Sequence, residues 1–360
     1  MQTQAYINRI GTALPKHEAH AAFLAWAQSR IADRRDGALF KRMASRSGIE
    51  RRWTVLPPAN DGGDQTSPGA FYDSVDPGVA MPPTSARMAI YAEEAPDLCI
   101  AAVDALGRPE AITHLVVASC TGFIAPGIDQ IVARRLGLAA TVERVLIGFM
   151  GCYAAVSALR TAHHIVRSQP AARVLVITVE LCTLHLQPDT ALEPILAMLL
   201  FGDGAAAALV SADPVGLAIS DPFAMTLPDS QELIRWTVGD MGFAMHLSGA
   251  VPAKIGEAIA DPAFRAGLGD IAAIDGWAVH AGGRTVLDAV EQGFALAPDA
   301  LADSRAVLRD CGNMSSATLM FVFERILRDA RNGAKPIGHG LAIAFGPGLA
   351  AEGFRFRSAA

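Results

Sequence analysis

The sequence predicts an α/β fold with a sheet buried on both faces and two halves built on one pattern. Short apolar runs alternate with helical segments along the 360 residues, as in folds whose helices cover both faces of a sheet. Hydrophobic residues make up 51% of the chain and charged residues only 18%, so much of it must be buried. In each half an apolar strand, a polar residue and a helix follow one another. We divide the chain into residues 1–212 and 213–360, although no internal sequence identity proves a duplication.

The first half contains five apolar runs of strand length. They predict strands at 4–10, 114–118, 145–150, 173–179 and 205–210. We expect the run at 145–150 to be a buried strand. Helices are predicted at 19–43 (one or two), at 96–106, from about 153 onward and at 191–200. Ten of the 27 residues in 57–83 are Pro or Gly, which predicts a long loop.

The second half repeats the alternation after a boundary at 213–228. A helix is predicted at 251–260, a strand at 276–279, a helix after His280 and another after Gly312. An apolar pair of strands closes the chain at 341–357. Two halves of this kind would bring their strand ends together around a shared site.

Composition argues against several classes of partner. The net charge is −6 and no segment forms a basic patch, which disfavours nucleic acid. No run of eighteen residues lacks a polar side chain, and the first residues do not resemble a signal peptide, so we expect neither a membrane span nor secretion. Five cysteines without a CxxC pair disfavour disulfides and zinc and fit a cytoplasmic location.

Cys152 lies between the apolar run at 145–150 and a helix that opens at about Tyr153. Unpaired backbone N–H groups and the helix dipole at such a turn favour an anion and lower a thiol pKa. Cys152 is therefore a candidate nucleophile. The alternative is a small buried hydrophobic residue, the commoner role for a free cysteine.

Two further polar residues occupy comparable positions: His280 ends a strand and Asn313 opens a helix. Singly, His280 could be a core histidine and Asn313 a helix N-cap. Together with Cys152 they match the needs of acyl transfer, in which a thiol requires a base or cation and a thioester carbonyl requires hydrogen-bond donors.

Five segments carry a family resemblance: GC at 151–152, LFGDGAAA at 200–207, VHAGG around His280, GNMSSA at 312–317 and FGPGLAAE at 345–352. Over nearly its whole length the chain resembles the type III polyketide synthases, the chalcone-synthase-like branch of the thiolase superfamily. GNMSS and FGPG distinguish this branch from ketoacyl-ACP synthase III. The resemblance implies a thiolase-like, five-layered αβαβα fold, a homodimer, and no metal or redox cofactor.

The resemblance also implies a reaction. Cys152, as a thiolate paired with a protonated His280, would accept an acyl group from an acyl-CoA. His280 and Asn313 would hold malonyl-CoA while it loses CO2, and the resulting enolate would attack the Cys152 thioester. Repetition and ring closure would follow. On this interpretation we expect the pKa of Cys152 to be depressed.

Several further site residues follow from the resemblance. Phe201 is a gatekeeper candidate, and Met245 stands where plant members have a second gatekeeper phenylalanine. Arg42 and Arg46 fall where the family binds the CoA phosphates, although a third basic position is Leu39. Ala125 stands at the position that crosses the dimer interface. Cavity-lining residues are expected at Cys120, Thr121, Cys182, His185, Trp236 and Ser315. Cys120 could instead be a second reactive thiol.

Patterns such as IRWTVGDMGF are similar to those of bacterial members that make alkylpyrones or alkylresorcinols from fatty acyl-CoA. Phloroglucinol-type or naphthalene-type products from malonyl-CoA alone remain open. So does a single-condensation 3-ketoacyl synthase. A non-enzymatic alternative is a catalytically inactive thiolase-fold partner, against which the presence of Cys152, His280 and Asn313 argues.

Overall fold

The computed structural model describes residues 3–57, 81–187 and 189–359. Most of the predicted long loop, residues 58–80, lies outside these ranges. The strands are β1 (Ala5–Ala13), β2 (His17–Glu18), β3 (Trp53–Thr54), β4 (His114–Ser119), β5 (Glu143–Gly148), β6 (Val174–Leu181), β7 (Asp203–Ser211), β8 (Leu217–Thr226), β9 (Ile234–Gly239), β10 (Gly242–Leu247), β11 (Gly276–Val279), β12 (Gly340–Gly346) and β13 (Ala350–Ser358).

The helices alternate with these strands, as the sequence predicts. They are α1 (His20–Arg30), α2 (Arg34–Ser45), α3 (Thr84–Leu106), α4 (Ile128–Arg135), α5 (Ala154–Ser168), α6 (Leu192–Met198), α7 (Val251–Ala260), α8 (Pro262–Leu268), α9 (Arg284–Phe294), α10 (Ala302–Cys311) and α11 (Ala317–Arg331). No helix in the described ranges has the length and apolar character needed to cross a membrane.

Nine strands form one mixed sheet in the order β11-β12-β13-β8-β1-β7-β6-β4-β5. The two halves of the chain join at β1, which pairs antiparallel with β7 on one side and with β8 on the other. Strands β9 and β10 form a separate hairpin.

Apolar side chains on both faces of each half build three cores. In β4, Val116 and Ala118 face a central core with α5 and α11, whereas Leu115 and Val117 face an outer core with α1, α3 and α4. A second outer core packs α7, α9 and α10 against β11 and β12. Strands from both halves contribute to the central core around α5 and α11, so the two parts of the sheet lie on either side of these helices. The layers are therefore helix, sheet, helix, sheet, helix, which confirms the predicted five-layered fold.

Strand β5 differs from its prediction. It spans Glu143–Gly148 rather than 145–150, and most of its residues are exposed, including Leu146 at 47%. The reason is its place in the sheet: within the described ranges β5 is the last strand, and its one partner there is β4. The prediction of a buried strand is therefore wrong for the single chain.

Helix α3 begins at Thr84, twelve residues before the predicted start at Pro96, and Pro96 lies buried inside it. Proline is favoured in the first turn of a helix, which suggested the later start. In the fold, packing against β1 and β7 holds the helix together across this residue.

The turn before α5 brings Cys152 out of the sheet. After β5, Phe149 (φ +56°) and Gly151 (φ +77°) both adopt left-handed conformations, and a short 3-10 turn, Gly151–Tyr153, leads into α5. A Cβ atom at residue 151 would lie 2.3 Å from Cδ of Pro347. Glycine is therefore required there, both for its φ and for the space that Pro347 occupies.

Candidate active site

Three segments that meet at the centre of the molecule carry the predicted catalytic residues. Cys152 lies before α5, His280 directly follows β11, and Asn313 lies between α10 and α11. The side chains of Asn313 and Ser315 are within hydrogen-bonding range of the Cys152 sulfur. Nδ2 of Asn313 donates to the carbonyl oxygen of Gly282, two residues after His280, at 3.1 Å. Asn313 thus contacts both Cys152 and the segment that carries His280.

His280 is held by its backbone and not by its ring. Its N–H donates to the carbonyl of Ile343 at 2.9 Å, and its side chain is only 1% exposed. Neither ring nitrogen has a hydrogen-bond partner in the described part of the chain. Burial lowers the pKa of His280 to about 3, so the ring is neutral and carries one N–H donor and one acceptor. Unpaired buried polar groups are costly and suggest that a ligand supplies the partner.

The amide of Asn313 has a fixed orientation. Its oxygen accepts hydrogen bonds from the backbone N–H of Ser315 at 2.8 Å and from Oγ1 of Thr318 at 3.5 Å. Its nitrogen uses one hydrogen on Gly282, and the second faces the Cys152 sulfur. Asn313 is not the N-cap of α11, because Ser316 directly precedes that helix.

The Cys152 thiol is not activated in the resting state. Burial raises its pKa to about 12; hydrogen bonding from Ser315 and Asn313 opposes the rise, and the nearby charge of Glu180 adds to it. The expected thiolate–imidazolium pair is therefore wrong for this state. A neutral His280 supplies no positive charge, so the expected cationic partner of the thiolate is missing.

Glu180 is a site residue that the sequence interpretation missed. It is fully buried at the end of β6, and burial raises its pKa to about 7. One carboxylate oxygen accepts from the backbone N–H of Cys120 at 3.0 Å and from Oγ1 of Thr121 at 2.9 Å. The other accepts from Oγ of Ser316. The signal was available, because an acidic residue follows the apolar run at 173–179 just as His280 follows its strand.

Five of the expected cavity residues line one small cavity of about 50 Å³: Cys182, His185, Phe201, Trp236 and Met245. The other three contact the nucleophile and its surroundings. Ser315 is beside the Cys152 sulfur, Thr121 donates to Glu180, and the Cys120 thiol contacts Gly151.

His185 is an inert wall of this cavity. Its Nε2 lies 2.6 Å from the carbonyl oxygen of Thr121, and its Nδ1 accepts the backbone N–H of Phe243 at 3.0 Å. The ring stacks on Phe243 with centroids 4.0 Å apart, and Trp236 meets it edge-on at 5.8 Å. Burial lowers the pKa of His185 to about 3, so this bridge stays neutral.

Arg52 supports the gatekeeper candidate. It is 1% exposed and donates to the carbonyl oxygens of Phe201 at 2.6 Å and Met198 at 3.0 Å. Its guanidinium also lies over the ring of Phe23, 4.5 Å from the centroid. Sequence alone did not distinguish Arg52 from the other basic residues of this region, Lys41, Arg42, Arg46 and Arg51.

Arg42 and Arg46 lie one turn apart at the end of α2, and both are exposed. Neither makes an ion pair within the described ranges. In the same ranges, no group of three or more His, Cys, Asp or Glu side chains is arranged to hold a metal ion.

Family models support what the geometry suggests. Residues 1–214 match the N-terminal domain of chalcone and stilbene synthases, and residues 220–360 match the C-terminal domain. The chain belongs to the chalcone and stilbene synthase family.

Members of this family resemble the chain in both sequence and fold. An alpha-pyrone synthesis polyketide synthase-like protein of Mycobacterium tuberculosis is 36% identical over 260 residues, which cover 69% of this chain and 66% of that protein. Type III polyketide synthase C of Arabidopsis thaliana is 35% identical over 262 residues, or 69% and 68% of the two chains. The alignment thus spans about two thirds of these relatives.

Solved structures match over the full length. PKS-I of the brown alga Ectocarpus siliculosus superposes with a TM-score of 0.87 at 28% identity and covers 99% of both chains. The C-terminal type III polyketide synthase domain of Steely1, a hybrid enzyme from Dictyostelium, has a TM-score of 0.82 at 25% identity and covers 99% of this chain and 100% of that one.

Proposed function

We propose that this chain is an acyltransferase that extends an acyl-CoA starter, held on Cys152, with malonyl units and closes the product to an alkylpyrone or alkylresorcinol. The observation that carries the proposal is the buried His280 ring, whose two nitrogens have no partner among the described residues, together with an Asn313 amide that contacts both Gly282 and the candidate nucleophile Cys152. Malonyl-CoA and the acyl-CoA are substrates, and the chemistry requires no metal or redox cofactor.

Loading begins at the neutral Cys152–His280 pair. As the thiol attacks the acyl-CoA carbonyl, the free nitrogen acceptor of His280 takes its proton. The bond from the acyl carbon to the CoA sulfur breaks, and His280 returns the proton to the leaving CoA thiolate. A resting thiol with a pKa of about 12 requires such a base at the moment of attack.

Extension uses the donors on the same two residues. The thioester oxygen of malonyl-CoA accepts the N–H of neutral His280 and the remaining N–H of Asn313, so the enolate left by loss of CO2 is stabilised where its charge develops. The enolate carbon attacks the Cys152 thioester, a carbon–carbon bond forms and the cysteine sulfur leaves. The lengthened chain, now on CoA, is transferred back to Cys152 for the next cycle.

An alkylpyrone product is supported by two observations. The name of the mycobacterial relative refers to alpha-pyrone synthesis. The cavity wall is mainly apolar, with Trp236, Phe243 and Met245 on one hairpin, which suits an alkyl chain better than a hydroxylated ring.

The test is product analysis by mass spectrometry after incubation with isotope-labelled malonyl-CoA and a panel of acyl-CoAs. The proposal expects cyclic products that contain one starter and two or more malonyl units, and no product from a Cys152→Ala variant. Linear products with a single extension would instead identify a 3-ketoacyl synthase. Products built from malonyl-CoA alone would favour the phloroglucinol-type or naphthalene-type alternative.

We also infer that the protein is a homodimer in the cytoplasm. The exposed edge strand β5 and its neighbours present large apolar side chains, among them Leu146, Phe123 and Phe149. An unpaired edge of this kind usually pairs or is covered. All five cysteines are free, which supports a reducing compartment.

A further inference from the structure

The thiol of Cys120 binds both backbone groups of the residue that precedes the nucleophile. The N–H of Gly151 donates to Sγ of Cys120 at 2.9 Å, and Sγ lies 3.7 Å from the carbonyl oxygen of Gly151 as a donor. A protonated thiol can make both contacts at once, since it has one weak donor and one weak acceptor. Burial raises the pKa of Cys120 well above its ordinary value, so the thiol stays protonated.

Contacts with other residues hold the backbone of Gly151 in place. It has a left-handed φ of +77° and no side chain, and the ring of Pro347 fills the space where a Cβ would lie. Pro347 limits movement in one direction, while Cys120 holds the N–H and the carbonyl. The next residue is Cys152, whose own backbone N–H stabilises its thiolate. A change in the Gly151 peptide therefore changes the environment of the reactive sulfur.

Cys120 is itself fixed by Glu180. The backbone N–H of Cys120 donates to the same carboxylate oxygen as Thr121, and Ser316 donates to the other oxygen. Ser316 belongs to the segment that carries Asn313. Glu180 and Cys120 thus connect the segment of Asn313 to the turn of Cys152 through buried hydrogen bonds, and such networks rigidify a site when every member is satisfied.

We propose that Cys120 is a positioning residue that orients the nucleophile through Gly151, rather than a lining residue of the acyl cavity or a second acyl-carrying thiol. The inference rests on the proposed role of Cys152 as nucleophile. Its consequence is that the reactivity of Cys152 depends on a thiol that never touches the substrate.

The experiment measures the rate of Cys152 alkylation by iodoacetamide against pH, by peptide mass spectrometry and without substrate. Cys120→Ala removes both hydrogen bonds, and we expect the rate at fixed pH to fall about five- to tenfold, the usual effect of losing one to two weak hydrogen bonds. The whole profile of rate against pH should shift to higher pH. Cys120→Ser keeps a donor and an acceptor and should restore most of the rate. Cys99→Ala, which removes a buried cysteine in α3, is the matched control and should behave as the wild type.

An unchanged or faster rate in Cys120→Ala, with wild-type thermal unfolding, would overturn the proposal. If Cys120→Ala does not fold, Cys120→Val decides, because valine fills the space of the thiol without a donor or an acceptor: its alkylation rate should fall, and a wild-type rate would overturn the proposal. Acyl label found on the Cys120 peptide of a Cys152→Ala variant would identify a second acceptor and also overturn it. Because alkylation uses no substrate, these outcomes stay separate from a failure of the proposed synthase reaction.

Discussion

Among the residues that the structure describes, neither nitrogen of the buried His280 ring has a hydrogen-bond partner, a cost of about 1–3 kcal/mol that stability alone would not retain. We therefore expect His280→Phe to lower kcat by at least about a hundredfold, the scale of losing a preorganised donor. The same change should keep or raise the free energy of unfolding, because it removes the unpaired group. Release of CO2 from malonyl-CoA and urea denaturation measure the two effects. A destabilised variant that keeps its activity would contradict the assignment.

The Cys152 thiol gives a pH prediction. Since burial raises its pKa to about 12, with Glu180 contributing to the rise, alkylation should accelerate with pH and show no inflection below the free-thiol value of about 8.5. Glu180 has a pKa of about 7, so above that pH it is charged and disfavours the thiolate. Glu180→Gln removes this charge and should shift the profile to lower pH. An inflection at about pH 6 in the wild type would contradict this prediction and would support the pair of Cys152 thiolate and protonated His280 that the sequence suggested.

The candidate catalytic residues could be predicted from the sequence, because their residue types and their positions in the chain both point to acyl transfer. Cys152, His280 and Asn313 each follow a strand or precede a helix, and these boundaries can be recognised in the sequence. The protonation states were not, because they depend on burial: the sequence suggested a charged pair, whereas both groups are neutral in the fold. The sequence also could not show which of the predicted cavity residues line the cavity and which contact the nucleophile. Such contacts join distant residues, as Cys120 and Gly151 are 31 positions apart.

At the scale of elements, periodicity identified most strands and helices but not their neighbours. An apolar run of six residues is expected for a central strand and also for an edge strand that a second chain covers. The order of strands in the sheet is needed to distinguish the two cases. This is why β5 was expected to be buried. The β9–β10 hairpin was not predicted, because four of the six β9 residues are exposed and the segment lacks a continuous apolar run.

The end of helix α2 supplies a prediction about coenzyme A. Arg42 and Arg46 are exposed and lack ion pairs in the described ranges, so their charges are available for phosphates. Changing both to alanine should raise KM for malonyl-CoA about tenfold with little change in kcat, because the two exposed contacts together contribute about 1–2 kcal/mol to binding and none to the chemical step. Lys41→Ala, on another face of the same helix, is the control. A kcat effect without a KM effect would contradict phosphate binding there.

The β10 strand supplies a prediction about product length. Met245 lines the cavity with Trp236 directly opposite it on β9. A flexible methionine lets this hairpin accept chains of different volume, whereas a phenylalanine is larger and more rigid. Met245→Phe should shorten the preferred starter or reduce the number of extensions, measured as the distribution of products across the acyl-CoA panel. An unchanged distribution would make Met245 a packing residue only.

At the scale of the whole molecule, aromatic rings link the edge of the sheet to the small cavity lined by Trp236, Phe243 and Met245. Phe243, in the cavity wall, stacks on exposed Phe123 at 5.9 Å and meets exposed Phe149 at 5.7 Å. A second copy that covers β5 would enclose these rings and remove their motion. Dimer formation should therefore support activity as well as bury apolar surface.

Light scattering tests this link directly. The wild type should have twice the 37.7 kDa mass of one chain, and Leu146→Lys, which places a charge on the exposed edge strand, should have the mass of a single chain. We expect the monomer to remain folded but to lose most of its condensation rate, since Phe243 loses the support of covered Phe123 and Phe149. Val215→Lys adds the same charge at a residue that is 58% exposed outside the strands, and should leave both mass and rate unchanged. A wild type with the mass of one chain and full activity would show instead that the cavity is complete within a single copy.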